Sequence, residues 1–217
     1  MQFGGSCDWR RDEDWRDALC VGAVLLVAAS TAGTQQSPLD GPSYTGENEL
    51  VRPAHYREWI YLSTGLGMTY GPAAQAANRP PLFDNVFVNP SSYRSFLETG
   101  RWPDKTIFIL ELRAASSQGS INTAGHFQTD VVAVEAAVKD SRFPGGWAYF
   151  DFGRGAALKP STAPLPTTAP CYACHAQNTA VEQTFAQFYP TILEVARRKG
   201  TLKPGFENAL APGHRRP

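Results

Sequence analysis

Three neighbouring segments with strand character constrain the fold most strongly. They are TIFILELRAAS, FQTDVVAVEAAVKD and GWAYFDFG, and each alternates its side chains between two faces. Two runs rich in turn-forming residues, SSQGSIN and DSRFPGG, separate them. Because short connections favour antiparallel neighbours, the pattern predicts an antiparallel sheet.

Helical patterns flank these strands. HYREWIYLST predicts a short helix, since its apolar residues cluster on one side, and DNVFVN predicts a further strand. Asn89 and Pro90 predict the N-cap and first position of a helix that ends at Gly100. Two more helices are expected, one around CYACH and one over residues 180–198, which Pro190 should break or kink. The predicted fold class is α+β, an antiparallel β-sheet with helices packed against it and a C-terminal helical segment.

The alternation also assigns side chains to faces of the sheet. In the first strand it places Phe108 and Leu110 on one face. In the second it places Val131, Ala133 and Glu135 together. A carboxylate among apolar residues can have a raised pKa and accept a proton, so Glu135 is a candidate proton relay. An ordinary exposed strand carboxylate is the alternative.

The N-terminal residues 1–33 are expected to form a signal peptide that directs export to the periplasm. Three arginines precede the apolar run ALCVGAVLLVAAS, and small residues follow it. An uncleaved membrane anchor is the alternative, but the run is short for one, and no membrane span is expected in the mature chain. Residues 34–52 are expected to be a flexible leader, 53–199 the folded domain and 200–217 a disordered tail.

The charge distribution argues against a nucleic-acid partner. The chain has 20 Lys and Arg residues and 20 Asp and Glu residues, so its formal net charge is +0. No run of basic residues marks a surface that would bind phosphates.

Cys171, Cys174 and His175 form a Cys-x-x-Cys-His motif, the signature of c-type haem attachment. Each thiol can add to one haem vinyl group, which places the histidine beside the iron. A thioredoxin-like redox pair would follow a strand, whereas a Pro-rich segment precedes this motif. A zinc site needs four ligands, and no second pair lies at ligand spacing. The motif therefore predicts one covalently attached haem c, with His175 as the iron ligand.

The sequence resembles the cytochrome P-460 family, which includes cytochrome c′-beta. The resemblance runs in order through HYREWIYLSTGLGM, VFVNPSSYRSFLETGRWPD, TIFILELR, VEAAVKD, GWAYFDF and CYACHAQN with FAQFYP. It implies a homodimeric antiparallel-sheet cytochrome with one haem, His175 as its only protein ligand and an open distal site for small nitrogen species. Phe108 and Leu110 would line the haem pocket, and Glu135 matches a family carboxylate near the distal side.

The chain departs from the family at one position. Family members that oxidise hydroxylamine carry a strand lysine that crosslinks to the haem, and Leu110 stands at the matching position. Leucine cannot form that bond. Two functions stay open: an enzyme that converts hydroxylamine or nitric oxide with Glu135 as relay, and a protein that binds nitric oxide. A periplasmic electron-transfer cytochrome with six-coordinate iron and a redox partner protein is a third, with Met68 as the candidate sixth ligand.

Overall fold

A computed structural model of the chain describes residues 40–46, 48–70 and 80–209. These residues contain the strands β1 Leu50–Val51, β2 Ile60–Leu66, β3 Leu82–Val88, β4 Thr106–Ser116, β5 Phe127–Lys139, β6 Trp147–Arg154 and β7 Ser161–Thr162. Strands β2 to β6 form one antiparallel sheet in chain order, and β1 pairs with β7. The predicted antiparallel sheet is confirmed.

The α-helices pack on one face of this sheet. They are α1 Pro90–Thr99, α2 Pro170–Asn178 and α3 Pro190–Lys199. Each begins with a proline, whose missing N–H and fixed φ suit the first helical position. As predicted, α1 ends at Gly100, which has the left-handed φ of 71°. The α+β prediction is therefore confirmed.

Two predicted helices are wrong in part. The segment HYREWIYLST contains only a 3₁₀ turn, Tyr56–Glu58, and then enters β2. Leu62 is buried while Tyr61 is 52% exposed, so the burial follows the period of a strand paired with β3. Pro190 starts α3 instead of kinking a longer helix, and the residues before it form a β-bridge and a 3₁₀ turn.

Asn89 occupies the N-cap position of α1, but its side chain does not cap the helix. Its Oδ1 instead accepts a hydrogen bond from the backbone N–H of Ile107 at 3.0 Å. The carboxylate of Asp40 accepts one from the backbone N–H of Ser91 at 2.6 Å and caps the helix in its place.

Parts of the expected leader and tail pack against the domain. Leu50 is fully buried, and Tyr44 packs against the same apolar cluster. Leu202 and Phe206 pack against the cluster between the sheet and the helices. The folded part of the chain therefore extends on both sides of residues 53–199.

The expected signal peptide, residues 1–33, lies outside the described residues, and so does the tail from residue 210 onward. Within the part of the chain that the structure describes, no helix has both the length and the apolar character that crossing a membrane would require.

The five-stranded sheet separates two apolar clusters. The cluster on the helix side includes Val88, Phe96, Trp102, Phe108, Trp147 and Ile192. The cluster on the opposite side includes Leu50, Tyr56, Ile107, Ile109, Phe150 and Phe152. Successive residues of β4 thus alternate between the two clusters, as its sequence predicts.

A β-bulge in β5 changes the expected neighbours of Glu135. Leu112 pairs with Ala133, but the next residue of β4 pairs with Val131, so Val132 is an extra residue. Val131 therefore packs against the cluster on the side away from the helices. The expectation that Val131 shares a face with Glu135 is wrong, because strict alternation cannot reveal an inserted residue.

Candidate functional site

The register of the sheet lines up one row of side chains on the helix side. Val86, Leu110, Glu135 and Asp151 are successive Cα partners across β3, β4, β5 and β6. Directly paired residues in antiparallel strands point to the same face. Glu135 therefore lies between an apolar neighbour, Leu110, and a second carboxylate, Asp151.

Helix α2 carries the Cys-x-x-Cys-His residues on this same side of the sheet. Cys171 and Cys174 are half-buried and both thiols are free. Residues three apart lie on one face of a helix, so the two sulfurs are available to a single partner. Tyr172 lies between them in the sequence, and its ring packs edge-on to that of Tyr149 of β6, with 4.7 Å between the ring centroids. This contact holds α2 against the sheet.

His175 is fixed in one orientation by a backbone carbonyl. Its Nδ1 lies 2.7 Å from the carbonyl oxygen of Gln183, and its ring packs between Tyr149 at 4.5 Å and Phe185 at 4.7 Å. Because a carbonyl only accepts hydrogen bonds, Nδ1 carries the proton and Nε2 keeps its lone pair. Burial lowers the pKa of His175; the hydrogen bond to Gln183 opposes this shift, and the positive charge of Lys203 adds to it.

These residues fit a c-type haem. A neutral imidazole oriented through Nδ1 by a carbonyl is the usual form of a metal-binding histidine. Two free thiols precede it at the spacing of the two vinyl attachments. Cys171, Cys174 and His175 could therefore hold the porphyrin and ligate its iron.

Comparison with family models supplies the deciding observation: the Cytochrome P460 model matches residues 53–186. The chain belongs to the cytochrome P460 family. Its family resemblance is thereby confirmed, and membership makes the protein a haem cytochrome. The matched region contains β2 to β6 and α2. No curated protein matches the chain.

Glu135 is a half-buried carboxylate in this cytochrome. Its side chain is 38% exposed, and its Oε1 lies 3.7 Å from a guanidinium nitrogen of Arg154. Burial raises the pKa of Glu135 and the neighbouring Asp151 carboxylate raises it further, whereas Arg154 opposes the shift. A carboxylate in this setting accepts a proton more readily than one in water.

The two predicted pocket residues have different surroundings. Leu110 is partly buried against the helix-side cluster, directly opposite Glu135. Phe108 is only 5% exposed, because its ring lies edge-on to Trp102 at 4.7 Å and stacks with Trp147 at 6.4 Å. Phe108 thus lies within an aromatic cluster, and Leu110 is the more accessible of the two side chains.

Asp84 is a carboxylate that the sequence analysis missed. It pairs with Leu112, which pairs in turn with Ala133, so it shares the sheet face of Glu135. Burial raises the pKa of Asp84 to about 6. Asp84 lies two residues before Val86 in β3, so strand alternation would have placed its carboxylate on the same apolar face. The carbonyl of Gln183, by contrast, is a backbone group, and every residue type has one. The sequence therefore gives no sign that this carbonyl contacts His175.

We predict that Asp84→Asn stabilises the haem-loaded protein at pH 7.5 but not at pH 4. The folded pKa lies above that of the unfolded chain, so the charged form is disfavoured and stability falls as pH rises from about 4 to about 6. Urea unfolding should show a gain of roughly 1–2 kcal/mol at pH 7.5, allowing for solvent screening. The exposed Asp130→Asn is the control, and equal gains at both pH values would contradict the prediction.

Proposed function

We propose that this cytochrome is an exported c-type haem protein that binds small nitrogen species, above all nitric oxide, at an open haem face. Cys171 and Cys174 would attach the haem covalently, and His175 would be its only protein ligand. One observation supports this most strongly: the carbonyl of Gln183 holds Nδ1 of His175 at 2.7 Å, which leaves the Nε2 lone pair available on the helix that carries two free thiols.

The side chains of the sheet would control what reaches the haem. A bound haem would supply an iron that binds diatomic gases and exchanges one electron. Leu110 presents an apolar surface that suits an uncharged gas, and it lies directly opposite Glu135. Glu135 and Asp84 would serve as proton acceptors, since burial raises the pKa of both.

The choice between binding and conversion depends on Leu110. The haem–lysine crosslink of hydroxylamine-oxidising relatives requires an amine at this position, and leucine has none. Binding of nitric oxide needs neither the crosslink nor a proton transfer. Binding is therefore the main function that we propose, and redox conversion with Glu135 as proton relay is the weaker one.

Electron transfer through six-coordinate iron is a second candidate, which the position of Met68 favours. Both the Sδ of Met68 and the carboxylate of Asp84 lie against the backbone of Gly65. A Cβ added at Gly65 would lie 2.2 Å from that sulfur and 3.3 Å from Oδ2 of Asp84. A thioether therefore lies beside a residue of the helix-side face. Methionine is a common second axial ligand in c-type cytochromes.

The cellular setting is part of the same proposal. The basic and apolar pattern of residues 1–33 supports export to the periplasm. Attachment of c-type haem outside the cytoplasm agrees with that route. We further propose a homodimer, after the family, and a redox partner protein that would return the iron to its reduced state.

Covalent attachment predicts that the haem stays with the chain under denaturing conditions. Gels stained for haem peroxidase activity should show a band that is lost when Cys171 and Cys174 are both replaced by Ala, because no thioether can then form. The exposed Ala173→Ser, inside the same motif, should keep the band. Full extraction of the haem from the unmutated protein into acidified organic solvent would rule out attachment.

The proton relay predicts that Glu135→Gln separates turnover from binding. Any hydroxylamine turnover should fall by roughly 10²-fold or more, the usual size of a general-base contribution. Nitric oxide affinity should change little, because binding a neutral gas moves no proton. Glu98→Gln, an exposed carboxylate of α1, is the matched control. Rapid hydroxylamine oxidation by the unmutated protein would contradict the assignment as a binding protein.

A further inference from the structure

Side chains donate hydrogen bonds to several carbonyl groups at the end of α2. The last carbonyls of a helix lack partners within the helix. Here four carbonyls accept side-chain hydrogen bonds, those of Cys174, His175, Ala176 and Asn178. Their donors are Asn178, Thr179, Lys203 and Gln187 respectively. Lys203 is the charged member of this set.

Lys203 reaches α2 from beyond the region that matches the family. Its Nζ donates to the carbonyl of Ala176 at 3.0 Å and to Oγ1 of Thr179 at 2.8 Å. Its backbone N–H donates to the carbonyl of Ala180 at 2.8 Å. Both its main chain and its side chain therefore attach the segment after α3 to the end of the haem-attachment helix.

Thr179 links this lysine to the backbone of the proposed iron ligand. A hydroxyl has one proton to donate and can accept as well. The Thr179 hydroxyl accepts from Lys203 and donates to the carbonyl of His175 or to that of Glu182. When the hydroxyl donates to His175, two hydrogen bonds through Thr179 connect the ammonium group of Lys203 to the backbone carbonyl of His175.

Glu182, the carboxylate whose charge interacts with that of Lys203, is itself paired with a second cation. Glu182 Oε2 lies 2.7 Å from Nζ of Lys139, which neutralises it. The three groups together carry a net positive charge beside the last turn of α2. A cation at a helix C-terminus also interacts favourably with the helix dipole.

We propose that Lys203 is a positioning residue that holds the end of α2 and raises the midpoint potential of the haem attached there. Reduction adds one electron, so a fixed positive charge in a partly dry environment favours the reduced state. The residue thereby biases the cytochrome toward ferrous iron. This inference rests on the proposed haem attachment.

The test is redox titration of haem-loaded variants. Lys203→Gln should lower the equilibrium constant for reduction by about threefold to tenfold, ~30–60 mV for one electron. Lys203→Arg keeps the charge and should restore most of the potential. Lys199→Gln removes an exposed charge at the end of α3 and should leave the potential unchanged. Glu182→Gln should shift the potential in the opposite direction, which supplies a test if Lys203→Gln does not fold.

The outcomes separate this inference from the proposed function. If haem is covalently bound but Lys203→Gln shifts the potential no more than Lys199→Gln, the role of Lys203 is refuted and the proposed haem attachment is not. If Glu182→Gln lowers the potential, it is likewise refuted. A chain that carries no covalent haem would refute both the inference and the proposed attachment.

Discussion

Antiparallel pairing of β3, β4, β5 and β6 determines which side chains can act together. The register places Leu110, Glu135 and Asp151 in one row and Asp84 on the same face. The bulge at Val132 turns Val131 away from this face, while Ala133 and Glu135 remain on the helix side. A slip of one residue would exchange the faces of a whole strand. The aromatic cluster of Phe108, Trp102 and Trp147 buries the same face further along and stabilises this register.

The second half of the site is built on α2. Contacts of Tyr172 and His175 with Tyr149 join this helix to β6, and the carbonyl of Gln183 fixes the imidazole. The site therefore combines a rigid sheet face with a short helix whose end is secured by later parts of the chain. Such support would keep His175, as a metal ligand, in one orientation and one tautomer.

Much of this arrangement follows from local sequence. The strands β4, β5 and β6, the end of α1 at Gly100 and the spacing of Cys171 and His175 all follow from alternation, turn chemistry and a motif. The errors have a common cause: they depend on contacts distant in sequence. Pairing with β3 made the second half of HYREWIYLST a strand, and Asp40 rather than Asn89 capped α1. The bulge in β5 left no signal in the local sequence. Asp84 could have been found from alternation alone. The contact of His175 with Gln183 and that of Lys203 with Ala176 each involve a backbone carbonyl, which sequence patterns do not mark.

If His175 is the only protein ligand of the haem, as we propose, the reduced iron will be high-spin and five-coordinate. The most direct measurement is therefore to record the absorption and resonance Raman spectra of the reduced unmutated protein and of the reduced Met68→Ala variant. We predict a high-spin, five-coordinate ferrous spectrum of ordinary c-type character, the same in both proteins, with carbon monoxide or nitric oxide binding without loss of a protein ligand. A low-spin, six-coordinate spectrum that becomes high-spin in Met68→Ala would contradict the open haem face and establish Met68 as the second axial ligand.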